Sequence, residues 1–519
     1  MPRHLVLVLG DQLDRRSAAF DGFDPSRDMI WMAEVAGEST HVWSAKPRIV
    51  MFLAAMRHFR DRLVAEGLPV DYHELAATAA PNEPTTLAAA LERSLAALAQ
   101  DPPQAIVVVE PGEHRVRQDL VAAAKRAGIP LEIRTDRHFF STVDEFAEHA
   151  RGRKQLRLEW FYRPLREKHG VLMEDGEPAG GAWNYDAENR GAFSKAGPGK
   201  LPAPRRFPPD AVTRGVIEMV NTRFADHPGS LAGFDWPVTS DEAREALEDF
   251  LGNRLANFGR YQDAIWTGEP WLYHSRLAAA MNLKLLDPRD VVAGAERAWR
   301  EGKVPIEAAE GFIRQVIGWR EYVWGVYWLW GREYGEANVL GAHRPIPPAF
   351  TGRAPTQMRC LATTLQTLHD HGWVHHIQRL MVLGNLALIA GIDPQAMTRW
   401  MWAGFVDGAE WVMVPNVVGM ALHADGGRMA TKPYAAGGAY IDRMSDYCRG
   451  CRYDRTRRTG PDACPFTTLY WDFLARHEAR FVRNPRVAQQ VRAAQKLGDL
   501  PAVQERATEV LRLLDAGEL

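Results

Sequence analysis

The chain has 519 residues, too many for one ordinary core, and this length points to two or three domains. Its composition is globular, with 46% hydrophobic and 25% charged residues, and 63 Lys and Arg stand against 65 Asp and Glu. That near-zero balance excludes global attraction to nucleic acid, so any such partner must meet a local basic patch.

The apolar run Leu5–Leu9, followed by Gly10-Asp11, reads as a buried strand ending in a turn. It is too short for a signal-peptide core, and no stretch reaches the ~20 apolar residues of a membrane helix. A cytoplasmic, membrane-free protein is expected, and in such a reducing compartment four cysteines are not a disulfide framework. A strand-like IWMAEV segment carrying Glu34 comes next, then a helix near 47–66, a strand at 70–75, a helix at 86–99, and a strand at 105–109. A helix at 116–127 and a strand at 131–133 complete the series. Alternation of this kind predicts an α/β domain with a doubly wound parallel sheet over residues 1–135. Ligands bind such sheets beyond the carboxyl ends of the strands, which makes Asp11, Gln12 and Glu34 candidates there. No GxGxxG follows the first strand, which disfavours a nicotinamide dinucleotide.

Residues 136–240 are rich in Gly, Pro and polar residues and read as a long interdomain connection with some helix. Within it, Arg151, Arg153, Lys154, Arg157, Arg163, Arg166 and Lys168 surround Trp160, Phe161 and Tyr162. Cations for phosphates and aromatics for exposed bases suit nucleic acid, and an amphipathic helix with a solvated face reads almost as well. From a Ser-Asp-Glu start at 240–242 onward the pattern is helical, so residues 241–519 are expected to form an all-α domain.

Cys448-Arg-Gly-Cys451 is followed after twelve residues by Cys464-Pro465, with Cys360 far upstream. Thiolates at this spacing suit zinc or an iron–sulfur cluster, and Cys360 is either a fourth ligand or a separate buried thiol. Five nearby arginines, Arg449, Arg452, Arg455, Arg457 and Arg458, offer charge to a thiolate cluster or to phosphates, or form a solvated face.

Three stretches complete the pattern: Trp271-Leu-Tyr-His274-Ser275-Arg276-Leu277, Phe312-Ile-Arg-Gln315-Val-Ile-Gly-Trp319-Arg320-Glu-Tyr, and Gly372-Trp-Val-His375-His376-Ile-Gln-Arg379 leading through Asp407-Gly408 to Asn416. Together with the GDQL start, the segment Gly180–Arg190 and the four cysteines, they resemble the photolyase and cryptochrome family. The resemblance covers the whole chain and is nearest to its bacterial iron–sulfur branch, the prokaryotic (6-4) photolyases. It implies an FAD in the helical domain, with His274, Ser275, Arg276, Leu277, Gln315, Trp319, Arg320, Arg379, Asp407, Gly408 and Asn416 as candidate contacts. It also implies a [4Fe-4S] cluster on Cys360, Cys448, Cys451 and Cys464, and an antenna in the α/β domain, typically 6,7-dimethyl-8-ribityllumazine. The implied partner is UV-damaged DNA and the implied state a monomer.

Repair of a (6-4) photoproduct needs a proton as a hydroxyl or amino group returns to its base, and His375 and His376 are the candidates. They are adjacent, so they cannot share a helix face. Tyr434 and Met420 are implied to line the pocket for a flipped dinucleotide. Trp400, Trp402 and Trp411 are ordinary core aromatics or electron carriers, and among them Trp400 has a counterpart in relatives. The chain departs from the family at Phe350, where relatives often carry Trp, and at Met401, where they often carry Tyr. Those departures touch the photoreduction route and keep a signalling cryptochrome as the alternative function, beside a cyclobutane-dimer photolyase and a non-photochemical metal-bearing DNA-binding protein.

Overall fold

The computed structural model describes residues 2–519. Its first part is one parallel five-stranded sheet of β1 (His4–Leu7), β2 (Met29–Ala33), β3 (Val70–His73), β4 (Ala105–Val109) and β5 (Leu131–Arg134), in the order β3-β2-β1-β4-β5. The strands are apolar on both faces, as a doubly covered parallel sheet requires. Leu5, Leu7, Trp31, Ile106 and Val108 pack beneath the helices Leu87–Ala97 and His114–Ala127. The alternate residues Val6, Ile30, Met32, Val107 and Val109 face the helix Lys46–Ala65 and join the core that runs on into the helical part. Strand order reverses between β1 and β4, so the crevice beyond their carboxyl ends is the topological switch point.

The stretch 136–240, expected as a connection with some helix, is more ordered than its composition suggests. It holds the helices Val143–Ala150, Leu158–His169 and Ala211–Arg223 and a short antiparallel pair, Met173–Glu174 with Glu177–Pro178. Its first portion is built into the helical domain. The buried carboxylate of Glu321 accepts the backbone N–H groups of Phe140 at 2.9 Å and Ser141 at 3.0 Å and the Ser141 hydroxyl at 3.0 Å. Phe146 lies so close to Gly325 that a Cβ there would meet the ring at 2.1 Å. Gly and Pro are dense from about 175 to 210, and averaging over the full stretch hides the amphipathic helices on either side.

The remaining chain is helical, and beyond Pro178 the described residues form only isolated bridges, Arg344 with Ile392 and Asp454 with Ala463. The helix Ser240–Asn253 starts in a full capping box between Thr239 and Glu242. Three π-helical stretches, Arg314–Arg320, Gln378–Gly384 and Pro415–Ala421, interrupt this half. Such turns are rare and gather at functional sites.

Gly325→Ala is expected to lower the thermal unfolding temperature, at a cost of about 1–3 kcal/mol from overpacking against Phe146. Phe146→Leu in the same chain should restore part of the loss, and unfolding at the parent temperature by Gly325→Ala alone would contradict this packing.

Candidate functional site

Each π-helical stretch carries residues singled out by sequence: Gln315, Trp319 and Arg320 in the first, Arg379 in the second, Asn416 and Met420 in the third. The second and third meet where Gly384 lies against Ala421. Just before the second, Gly372 ends the helix Arg359–His371 in a left-handed turn and releases Trp373 to His376. The turn sends the two histidines apart. His375 is buried and stacks on His274, with ring centroids 4.5 Å apart and planes 13° from parallel. His375 Nδ1 and His274 Nε2 are both buried without a hydrogen-bond partner. Burial holds the pKa of His274 down at about 3 and that of His375 well below the usual value. His376 is open to water, yet the surrounding protein and Arg379 still depress its pKa to about 4.

Arg379 donates through both terminal nitrogens to Asp407, at 2.9 and 3.1 Å, and through Nε to the Val374 carbonyl at 2.7 Å. Its guanidinium lies 4.0 Å over the Phe405 ring. Asn282 donates to the Asp407 carbonyl at 3.0 Å, and Gly408 is needed because a Cβ there would meet the Trp402 carbonyl oxygen at 2.2 Å. Ser275 caps no helix, since Ala278–Asn282 begins three residues later, and its Oγ accepts from the Leu277 N–H at 3.4 Å; Leu277 is itself buried. Gln315 is exposed, Trp319 is half-buried, and Asn416 donates to the Val412 carbonyl at 2.8 Å.

Two expected cofactor cations are already committed. Arg276 is clamped between the rings of Trp236 and Trp271, at 4.3 and 4.0 Å, and pairs with Asp235 at 2.6 Å. Arg320 donates to the His138 carbonyl at 3.0 Å and lies 4.0 Å over Phe139, so it fastens the 136–141 segment. The tryptophans also divide. Trp400 donates to the Phe350 carbonyl at 3.0 Å and touches that ring edge-on at 5.0 Å. Trp402 meets His41, and Trp411 meets Trp324 and Phe139 in the core. Tyr434 is half-buried, with the Lys432 ammonium 5.6 Å over its ring.

All four cysteines line one small apolar cavity of about 20 Å3, walled also by Tyr447, Tyr453 and Phe466. Cys360 is thus brought to the sequence-local trio. Burial and the neighbouring thiols push the Cys448 thiol up to about 12 and Cys360 well above its usual range. Among the described residues, no three His, Cys, Asp or Glu are grouped so as to hold a metal ion as they stand, although the four cysteines share this cavity. Three of the five arginines are paired with carboxylates: Arg455 with Asp442, Arg458 with Asp499 and Arg457 with Asp462.

In the α/β domain, Glu34 is excluded as a ligand contact. Its two oxygens are saturated by Arg57 at 2.8 and 2.8 Å, the Tyr72 hydroxyl at 2.5 Å and the Leu75 N–H at 2.9 Å. Asp11 and Gln12 do line the switch point. Gln12 donates to the Val109 carbonyl at 3.0 Å while its Oε1 stays buried and unpaired. Asp11 lies against Gly112, where a Cβ would meet its Oδ2 at 2.5 Å. Sequence reasoning missed their neighbours: Glu113, raised to about 8 by burial and by Glu38, and His41, whose Nε2 makes no hydrogen bond and lies 3.9 Å from Glu113. No local motif marks these residues, because the crossover topology alone assembles them.

On the basic segment, Arg166 is fully buried and spends its donors on the carbonyls of Val171, Leu172 and Trp183, so it cannot grip phosphate. Trp160 is 45% exposed, with Arg153 and Arg157 at 5.5 and 4.8 Å from its ring.

The chain is 46% identical over 486 residues to a protein of Agrobacterium fabrum named (6-4) photolyase, spanning 93% of this chain and 94% of that one. An uncharacterised protein of Acanthamoeba polyphaga mimivirus is 32% identical over 101 residues, 20% of this chain and 75% of that one. A crystal structure of a bacterial class III photolyase from Agrobacterium tumefaciens shares the fold, with a TM-score of 0.57 at 16% identity over 99% of this chain and 98% of that one. Residues 6–236 match the family model of deoxyribodipyrimidine photo-lyase-related proteins. With 46% identity maintained over nearly the full length of both proteins, the chain belongs to the photolyase family, in the group of that (6-4) photolyase.

Proposed function

We propose that this protein is a light-driven DNA repair enzyme that restores (6-4) pyrimidine-pyrimidone photoproducts. The observation that carries the reading is the histidine arrangement: a buried stacked pair, His274 and His375, with His376 exposed to solvent beside it. The identity to a (6-4) photolyase over the same elements supports it.

FAD supplies the light-driven electron when bound. The buried unpaired nitrogens of His274 and His375 and the neighbouring Arg379–Asp407 pair fit such a group. Their work is to bind and orient: the ion pair fixes the loop Phe405–Gly408, and Asn416 presents a neutral amide from the third π-helical stretch. His376 is the proton donor to the lesion oxygen or nitrogen that moves between bases. Its depressed pKa means that the anionic phosphates of bound DNA must raise it before it can hold that proton near neutrality. Tyr434 and Met420 border the lesion. Trp160 with Arg153, Arg157 and Lys154 takes the DNA strand.

The cysteine cavity is the site of a [4Fe-4S] cluster. Four thiols lining one apolar hollow supply the all-cysteine ligand set such a cluster takes, and the likeness to a (6-4) photolyase favours it over a single zinc ion. The antenna belongs at the switch point, where Asp11, Gln12, Glu113 and His41 offer polar groups to a lumazine; its ring system is the expected 6,7-dimethyl-8-ribityllumazine.

His376→Asn should keep flavin and DNA affinity while lowering the repair yield per absorbed photon by about 100-fold, the usual worth of a positioned proton donor. An unchanged yield rules out His376 in that role. Cys448→Ser should lose iron and the broad visible absorbance of the cluster, with a lower unfolding temperature; full iron retention contradicts the cluster assignment. The pH dependence follows from His274 and His376, whose folded pKa values lie below the unfolded 6.5. The unfolded chain then takes up protons that the native chain refuses, so stability is complete above about pH 6.5 and falls as pH drops toward 4. Buried His274 alone should cost on the order of 2 kcal/mol between pH 7 and 5. Denaturant midpoints at the two pH values for the parent and for His274→Asn check this, with a smaller difference expected in the variant.

A further inference from the structure

One buried side chain touches both the histidine site and the cysteine cavity. Gln378 opens the second π-helical stretch and is 3% exposed. Its Oε1 accepts the backbone N–H of His375 at 3.3 Å, and its Nε2 donates to the Tyr447 hydroxyl at 3.0 Å. Tyr447 is 1% exposed, directly precedes Cys448, and forms part of the wall of the cysteine cavity. The amide is oriented by its partners: the His375 N–H requires the oxygen, which turns the nitrogen toward Tyr447. A Leu and a Phe would fill this space without the cost of burying an amide and a phenol.

A second link lies alongside. Asn385, fully buried seven residues further on, donates to the Ala436 carbonyl at 2.9 Å and accepts the Ala436 N–H at 3.1 Å. Ala436 stands between Tyr434 and Gly438, and Gly438 is also a wall residue of the cavity.

We propose that Gln378 and Tyr447 are positioning residues that couple the cysteine cavity to His375, so that what fills the cavity sets how firmly the histidine pair is held. The inference rests on the proposed cluster and flavin sites. Coupling of this kind is reciprocal, so a change at Gln378 must be felt at the cysteines.

The test is amide hydrogen exchange on the holoprotein, read by mass spectrometry on peptides covering 373–380 and 445–465, with iron and flavin content measured on the same samples. Tyr447→Phe keeps the ring in the cavity wall and removes only the hydroxyl. It should keep parental iron and speed exchange of the 373–380 peptide about fivefold, the weight of one lost hydrogen bond. Gln378→Met should speed exchange at the start of the 445–465 peptide. The double variant should exchange no faster than the faster single variant, because both remove one connection. Unchanged exchange at 373–380 in Tyr447→Phe, iron loss from that variant, or effects that multiply in the double variant would each overturn the coupling. A parent protein without iron or flavin would instead defeat the proposed function, and the exchange pattern would still decide whether the two regions are connected.

Discussion

Arg379 closing on Asp407 is the constraint on which the helical half is organised. The pair joins the second π-helical stretch to the loop Phe405–Gly408, under the cover of Phe405 and with the Val374 carbonyl taking the third donor. Removing one partner leaves the other charge stranded in a part-buried setting, which destabilises the loop. The α/β domain is anchored to the same loop. Arg48, on the helix Lys46–Ala65, donates to the Gly408 carbonyl at 3.0 Å. The carbonyl and carboxylate groups of one short loop therefore hold the histidine segment and the sheet domain in register.

Glu321 serves the same end from the other side. It sits at the junction of a π-helical stretch with the helix Glu321–Tyr334 and receives three donors from Phe140 and Ser141. The segment leaving the sheet is thereby bound into the helical domain before the irregular part of the connection begins. Arg320 reinforces this seam from the adjacent position, which commits a cation expected at a cofactor to the His138 carbonyl.

Much of this was readable in the sequence. Buried strands such as Ala105–Val109 are apolar on both faces, and the Thr239–Glu242 cap marks a helix start. The resemblance to the photolyase and cryptochrome family pointed to the histidines and to Arg379 with Asp407, which the fold brings together, while spacing alone left Cys360 either with the other three cysteines or apart from them. What could not be read depends on tertiary partners. Glu34 looks like a ligand group at a strand end until Arg57 and Tyr72 arrive to saturate it, and Arg276 looks free until Trp236, Trp271 and Asp235 enclose it. Arg166 has a helical surface pattern but turns inward to three carbonyls. The switch-point group of Glu113 and His41 was invisible because its members come from separate loops and share no spacing.

The proposed selectivity of this scaffold for one lesion class rests on an exposed histidine, His376, beside the closed pair His274 and His375. The most direct measurement gives the purified, reduced protein two DNA oligomers, one with a (6-4) photoproduct and one with a cyclobutane dimer, under blue light and in darkness. The account predicts restoration of the (6-4) oligomer in the light alone, with the dimer left intact. Restoration of the dimer alone, or of neither lesion by flavin-loaded protein, would contradict it.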